Sequence, residues 1–156
     1  MQALHAAPLP CRYVGQARIV RGRHWLVPLL AALARLPKDG HALPTEVVFS
    51  ADGQGERWAR RFGRWPMVSR LWVHEGYLRE QLGAVRFEFD LQARDGGIDW
   101  SVRRVWAFGL LPLPQRWFGG VRCREAWHGQ RYTFLVDVTL PWAGALIRYE
   151  GWLEPQ

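Results

Sequence analysis

The residue in this chain best placed to do chemistry is an arginine. Arg60 stands in Trp-Ala-Arg-Arg-Phe, so Trp58, Arg60 and Phe62 share one face of an extended segment. A guanidinium between two aromatics on an inward face is a buried cation, and it calls for a carboxylate or an anionic ligand. On an outward face it would only snorkel to water along its stem. Two carboxylates are bracketed in the same way. Glu80 lies between Leu78 and Leu82, and Glu125 between Cys123 and Trp127. An inward carboxyl must pair with a cation or keep its proton. Paired with Arg60 or Arg104, these groups would fix strand register. In a pocket they would be polar anchors for a ligand. An acid/base role for Glu80 or Glu125 is the third reading, though spacing along strands cannot bring two carboxylates together.

Other chemistry finds little support. His5, His24, His41, His74 and His128 are not paired at metal-ligand spacing. No serine sits in a nucleophile elbow, and no glycine-rich loop opens a helix. Cys11, in an N-terminal loop, and Cys123, in a strand, form no Cys-x-x-Cys pair and no disulfide framework. They read as reduced thiols of a cytoplasmic protein. No metal and no cofactor is expected.

The 156 residues suit one domain, and 49% hydrophobic content can bury a sizeable core. Ten Trp suit the half-buried walls of a sheet or pocket. The net charge is +7, nearly all from Arg, since Lys38 is the only lysine. A basic excess admits an anionic partner without choosing one. Nucleic acid is disfavoured, because the arginines alternate outward beside acids, as in Arg79/Glu80 and Arg86/Glu88. The N-terminus lacks the apolar core of a signal peptide. The longest apolar run, residues 25–33, is too short to span a membrane.

The elements that must position Arg60 and its partners are mostly strands. One helix stands out, around residues 24–36, where Trp25, Leu26, Leu29, Leu30, Leu33 and Leu36 follow helical spacing until Pro37. Residues 1–13 read as a loose leader before a domain over 14–156. Period-two alternation then recurs. Val85, Phe87, Phe89 and Leu91 fall inside, with Arg86, Glu88 and Asp90 outside. Ile98, Trp100, Val102, Trp106 and Phe108 share a face, which puts Arg104 inward with them. Asp95-Gly96-Gly97 is a hairpin turn. Residues 121–153 read as one long hairpin, with Tyr132, Phe134, Val136, Val138 and Leu140 inside its first arm and Ala145, Ile147, Tyr149 and Leu153 inside its second. Residues 110–120, with two prolines and two glycines, read as a rigid exposed loop. Its Leu111, Leu113, Trp117 and Phe118 would form a contact patch or a pocket rim.

Several stretches carry a family resemblance. They are Arg21-Gly22 followed by the helix to Leu36-Pro37-Lys38-Asp39-Gly40; Glu56-Arg57-Trp58-Ala59-Arg60-Arg61-Phe62 ahead of Ser69; Leu78-Arg79-Glu80; Leu111-Pro112-Leu113-Pro114; and Tyr149-Glu150-Gly151-Trp152-Leu153. In order and spacing they resemble the bacterial domain-of-unknown-function family numbered four-one-six-six, over residues 14–153. Members of that family occur alone or fused behind Rossmann-type oxidoreductases resembling saccharopine dehydrogenase. The resemblance implies a cytosolic accessory or ligand-binding domain and no known activity. This chain has no dinucleotide fingerprint of its own.

The expected fold is mainly β: an antiparallel barrel or half-barrel, calycin-like in outline, of about eight or nine strands with one N-terminal helix. A strongly curved sheet gripping the helix is the alternative. The expected function is non-enzymatic binding of a small apolar or amphipathic molecule, with an acidic end held by Arg60 or Arg104. Trp58, Phe62, Trp100 and Tyr149 would supply aromatic walls, and Glu80 and Glu125 polar anchors. Docking on a Rossmann-type oxidoreductase through residues 110–120 is the runner-up.

Overall fold

Alternating side chains need a covered inner face, and this chain covers it by closing the sheet on itself. The computed structural model describes residues 8–156. It contains β1 (Cys11–Arg21), α1 (Val27–Leu33), β2 (Gly40–Asp52), β3 (Gly55–Phe62), β4 (Trp65–His74), β5 (Tyr77–Leu82) and β6 (Val85–Arg94). There follow β7 (Gly97–Ala107), β8 (Leu111–Leu113), a 3-10 turn (Gln115–Phe118), β9 (Gly120–His128), β10 (Arg131–Leu140) and β11 (Gly144–Pro155). All pairings are antiparallel. β1 pairs with β11, and β6 with β7, so ten strands form a closed barrel and β8 lies outside the ring. The fold is therefore mainly β with one helix, as the alternation implied, and the open curved sheet does not occur.

Several expectations need correction. Strand β1 begins at Cys11, so residues 11–13 of the expected leader are in the sheet, while residues 1–7 lie outside the described residues. Cys11 is thus a strand residue. Residues 121–153 form three strands, because Gly129 turns left-handed (φ 63°) and splits the stretch into two hairpins. The hairpin turn after β6 is as expected: Asp95 (φ 48°) and Gly96 (φ 72°) both take the left-handed values of the tight turn that matches strand twist.

The helix is shorter than its apolar pattern. Arg35 turns left-handed (φ 51°), the N–H of Leu36 donates to the carbonyl of Ala31 (2.8 Å), and that of Arg35 to Ala32 (3.2 Å). This is a Schellman stop with arginine where glycine is usual. The guanidinium of Arg21 then fastens the exit, donating to the carbonyls of Pro37 (2.7 Å) and Leu36 (2.5 Å). The N–H of Ala84, in the β5–β6 turn, donates to the carbonyl of Leu33 (2.8 Å). The helix is thereby seated across one end of the barrel. Its Val27 is buried with Ile19, Phe62, Met67 and Ile147, and its Ala31 is buried as well. The far end is an aromatic stack. Phe49 meets Trp58 edge-on (4.9 Å), Trp58 meets Trp100 (6.1 Å), and Trp100 meets Phe89 (5.3 Å). Burying each large side chain contributes roughly 1.5–3 kcal/mol.

A bulge decides which face the end of β7 presents. Phe89 pairs with Val102 but Glu88 pairs with Arg104, so β7 carries one extra residue there. A single inserted residue flips every later side chain. Val105 becomes buried and Trp106, Phe108 and Arg104 turn outward, against the alternation read from sequence. The same strand changes partner. Its first half pairs with β9, from Gly97↔Ala126 to Trp100↔Cys123, and its last residues pair with β8.

Strands β1 and β11 approach closely at Gly15. A Cβ there would fall within the van der Waals radius of the Trp152 carbonyl oxygen. Gly15→Ala is therefore expected to lower unfolding stability by about 2–3 kcal/mol in urea titration. A neutral result would mean that the two strands can separate at no cost.

Candidate functional site

Arg60, on β3, points into the barrel with Trp58 and Phe62. It reaches across β4 to Glu80 on β5. Nη2 and Nη1 donate to Glu80 Oε1 at 3.2 and 3.3 Å, and Nη1 also donates to Ser69 Oγ at 3.0 Å. The side chains of Arg60 and Glu80 are 13% and 11% exposed, so the pair is largely out of water. Arg60 also lies over the Trp58 ring at 4.9 Å. Burial by itself would lower the guanidinium pKa. The charge of Glu80, then that of Tyr149 and Glu125, outweighs it and holds the pKa above its ordinary value.

Glu125, on β9, faces the same space and accepts a hydrogen bond from the Tyr132 hydroxyl. Around these groups lies a cavity of about 330 Å³ beneath the helix end. Trp58, Phe87, Phe89, Trp100 and Phe134 give it aromatic walls, and Arg60, Glu80, Glu125, Cys123 and Tyr149 its polar floor. A small void of about 50 Å³ continues past Arg60 toward Phe62 and Tyr132. Trp100 is 7% exposed, and its indole Nε1 finds no hydrogen-bond partner among the described residues.

Most residues singled out by sequence thus come together here: Trp58, Arg60, Glu80, Trp100, Glu125 and Tyr149 line one cavity, and Phe62 lines the adjoining void. Arg104 does not. The β7 bulge turns it outward, its side chain is 58% exposed, and its Nε lies 3.8 Å from Glu88. The loop expected to be exposed is divided. Leu111 is 58% exposed, while Leu113, Trp117 and Phe118 are half-buried and line the cavity where β7 and β9 part.

Sequence reasoning missed Ser69, Cys123 and Phe134 as members of the site. Ser69 alternates with Met67 and Leu71, which was signal enough to place it inside. It also placed Glu88 in solvent. Glu88 is 2% exposed on the outer face, held by Arg79 (2.9 Å), Arg103 (3.4 Å) and Arg104. Arg79 covers Trp106 and Arg103 covers Tyr77, so these arginines roof the carboxylate themselves.

Burial pushes the Cys123 thiol up, reinforced by Glu80 and Glu125, so it stays protonated and is a poor nucleophile at neutral pH. Burial likewise raises Tyr149 and Tyr132, with the negative charge of Glu125 adding to both. Both cysteines are free thiols, and no group of three or more His, Cys, Asp or Glu among the described residues is arranged to hold a metal.

The fold is thus a closed antiparallel β-barrel, capped by a helix and enclosing an aromatic-walled cavity with a charge-paired floor. Comparison places it more narrowly. The chain belongs to the family described as Domain of unknown function (DUF4166), whose model matches residues 1–153. No curated protein matches it in sequence. Among solved structures it is similar to that described as "Crystal Structure of Rv2717c from M. tuberculosis", with a TM-score of 0.52 and 13% identity over 100% of this chain and 98% of that one. At that identity the likeness shows the barrel fold alone.

Two measurements test the site. Arg60→Met or Glu80→Gln alone strands a buried partner and is expected to cost roughly 3–5 kcal/mol in urea unfolding. The double variant Arg60→Met/Glu80→Leu should recover much of that loss. Additive losses would mean the pair is not coupled.

The second concerns pH. The unfolded chain releases its thiol proton near 9.0 and its phenol protons near 10.0, whereas the folded chain keeps those of Cys123, Tyr132 and Tyr149. Above about pH 9 the unfolded state therefore binds fewer protons, and stability falls as pH rises, by up to about 1.4 kcal/mol per pH unit per group. Unfolding curves from neutral to alkaline pH should show this decline, and Cys123→Ser should flatten its early part.

Proposed function

We propose that this barrel binds a small apolar or amphipathic molecule without transforming it. The observation that carries this reading is the cavity itself: about 330 Å³ of aromatic-walled space with a few convergent polar groups. The charge balance of its floor refines the ligand. Arg60 is already matched by Glu80, and Glu125 adds a second carboxylate. An acidic ligand would meet two carboxylates and no free cation. The floor instead favours a neutral group that both donates and accepts. Such a group can donate to a carboxylate and accept from the unpartnered Trp100 indole. A hydroxyl on an apolar chain has both capacities. The protonated thiol and phenols of Cys123, Tyr132 and Tyr149 offer no activated nucleophile, which supports binding over catalysis.

Docking on a Rossmann-type oxidoreductase has less behind it. Half-buried Leu113, Trp117 and Phe118 are occupied with the cavity, so most of the loop once assigned to a partner has a role inside the barrel.

Titration calorimetry with decanol and decanoate, which share a chain and differ in head group, tests the reading. Decanol is expected to bind at least roughly tenfold tighter, about one charge-balanced hydrogen bond's worth. Val136→Trp, which fills the cavity, should abolish the heat while the protein stays folded. Preference for decanoate would overturn the neutral-ligand assignment, and binding of either one unaffected by Val136→Trp would remove the cavity from the account.

A further inference from the structure

The two ends of the barrel differ in charge. Connections at the helix end, residues 22–39, 63–64, 83–84, 108–119 and 141–143, carry Arg23, Arg35, Lys38, Arg64 and Arg116, all exposed. Their one acidic residue, Asp39, is engaged: its Oδ1 accepts the backbone N–H of Arg21 at 2.5 Å. None of the five basic side chains has a salt-bridge partner among the described residues. Lys38 and Arg64 instead flank the Trp65 ring at 4.7 and 4.9 Å. The opposite connections, residues 53–54, 75–76, 95–96 and 129–130, carry Glu75 and Asp95 and no Lys or Arg. Along the wall most arginines are answered: Arg12 and Arg61 by Glu46, Arg70 by Asp52, Arg124 by Asp99, Arg131 by Glu154 and Arg148 by Asp137. Unmatched positive charge therefore gathers at the helix end.

Exposed apolar side chains gather there too. Trp25 is 77% exposed, Leu29 57%, Phe108 68%, Leu110 87%, Leu111 58% and Trp142 39%. They stand on separate connections: the start of the helix, the loop after β7, and the β10–β11 turn. Each of these side chains projects from one of these connections. The cavity lies beneath them, roofed by Leu30, Leu33, Trp117 and Trp142.

We propose that the helix end docks on the surface of a bilayer containing anionic phospholipid. The arginines and the lysine meet the headgroups, and the Trp, Leu and Phe tips enter the boundary with the acyl chains. Projecting tips suit a soft surface that needs no complementary shape, and the charge complement of an unmatched basic rim is an anionic one. No helix among the described residues is long and apolar enough to cross a membrane, so the contact is peripheral where the helix is concerned. The inference stands on surface residues and holds whatever occupies the cavity.

Flotation with vesicles tests it. Wild type is expected to float with an equal mixture of phosphatidylcholine and phosphatidylglycerol, and to stay behind with phosphatidylcholine alone. Reversing Arg23, Arg35 and Arg116 to Glu should lower the bound fraction by about tenfold or more. The same charge change at Arg57, Arg94 and Arg131, away from this end, should alter it by less than about twofold. Leu110→Asp with Leu111→Asp should also release the protein, at an unchanged melting temperature. Should the reversal set fail to fold, Gln at the same three positions repeats the measurement. Failure of wild type to float with anionic vesicles overturns the proposal and leaves the patch to a protein partner. Equal loss in both charge sets, or binding indifferent to Leu110 and Leu111, overturns it as well, by reducing the attraction to net charge alone.

Discussion

A guanidinium that has left water must meet a carboxylate, and in this barrel the meeting happens across an intervening strand. Arg60 opposes Met67 on β4, and Glu80 opposes Leu71 on β4. The pair closes over Ser69, which sits between those two positions and whose hydroxyl oxygen accepts from Arg60 Nη1, the nitrogen that also donates to Glu80. Slipping β3 or β5 by one residue would turn the arginine or the glutamate to the outside and leave the other buried alone, and slipping β4 would turn Ser69 away from both. The interaction thus locks three strands in register, and those strands carry the Trp58 and Leu82 walls of the cavity. The buried pair contributes specificity of arrangement more than net stability, since removing two charges from water costs about what their attraction returns.

Much of this was legible. Alternation is a direct image of a two-sided wall, and it marked most strands between residues 46 and 153. Arg60 and Glu80 could be placed inside because each is bracketed by apolar neighbours two residues away on either side. What could not be read was anything that changes phase. The extra residue near Arg103 leaves no mark in composition, yet it exchanges the faces of Arg104, Val105 and Trp106. The burial of Glu88 was hidden because its partners come from β5 and β7, and arginine stems can bury a carboxylate that the alternation places outside. The loop after β7 looked exposed because prolines and glycines suggest surface. Leu113, Trp117 and Phe118 instead fill the gap that opens where β7 leaves β9, a gap that the order of strands around the ring creates and the local sequence does not announce.

The two halves of the interior do different work. The far end is packed aromatic against aromatic, edge to face. The helix end is lined by single turns and short connections over an apolar core, with the helix fastened through Arg21 at its exit and Ala84 below. Packed aromatics at one end and segmented cover at the other bound the cavity between them.

The change of partner along β7 has a mechanical meaning. The ladder between β7 and β9 runs only from Gly97 to Trp100 on one side and from Cys123 to Ala126 on the other. Every other neighbouring pair in the ring is zipped over a longer stretch. Local opening costs least where the fewest hydrogen bonds must break together. Opening therefore costs least along this seam of the ring. The weak line of the barrel thus runs along its wall, between β7 and β9, apart from the helix that covers one end.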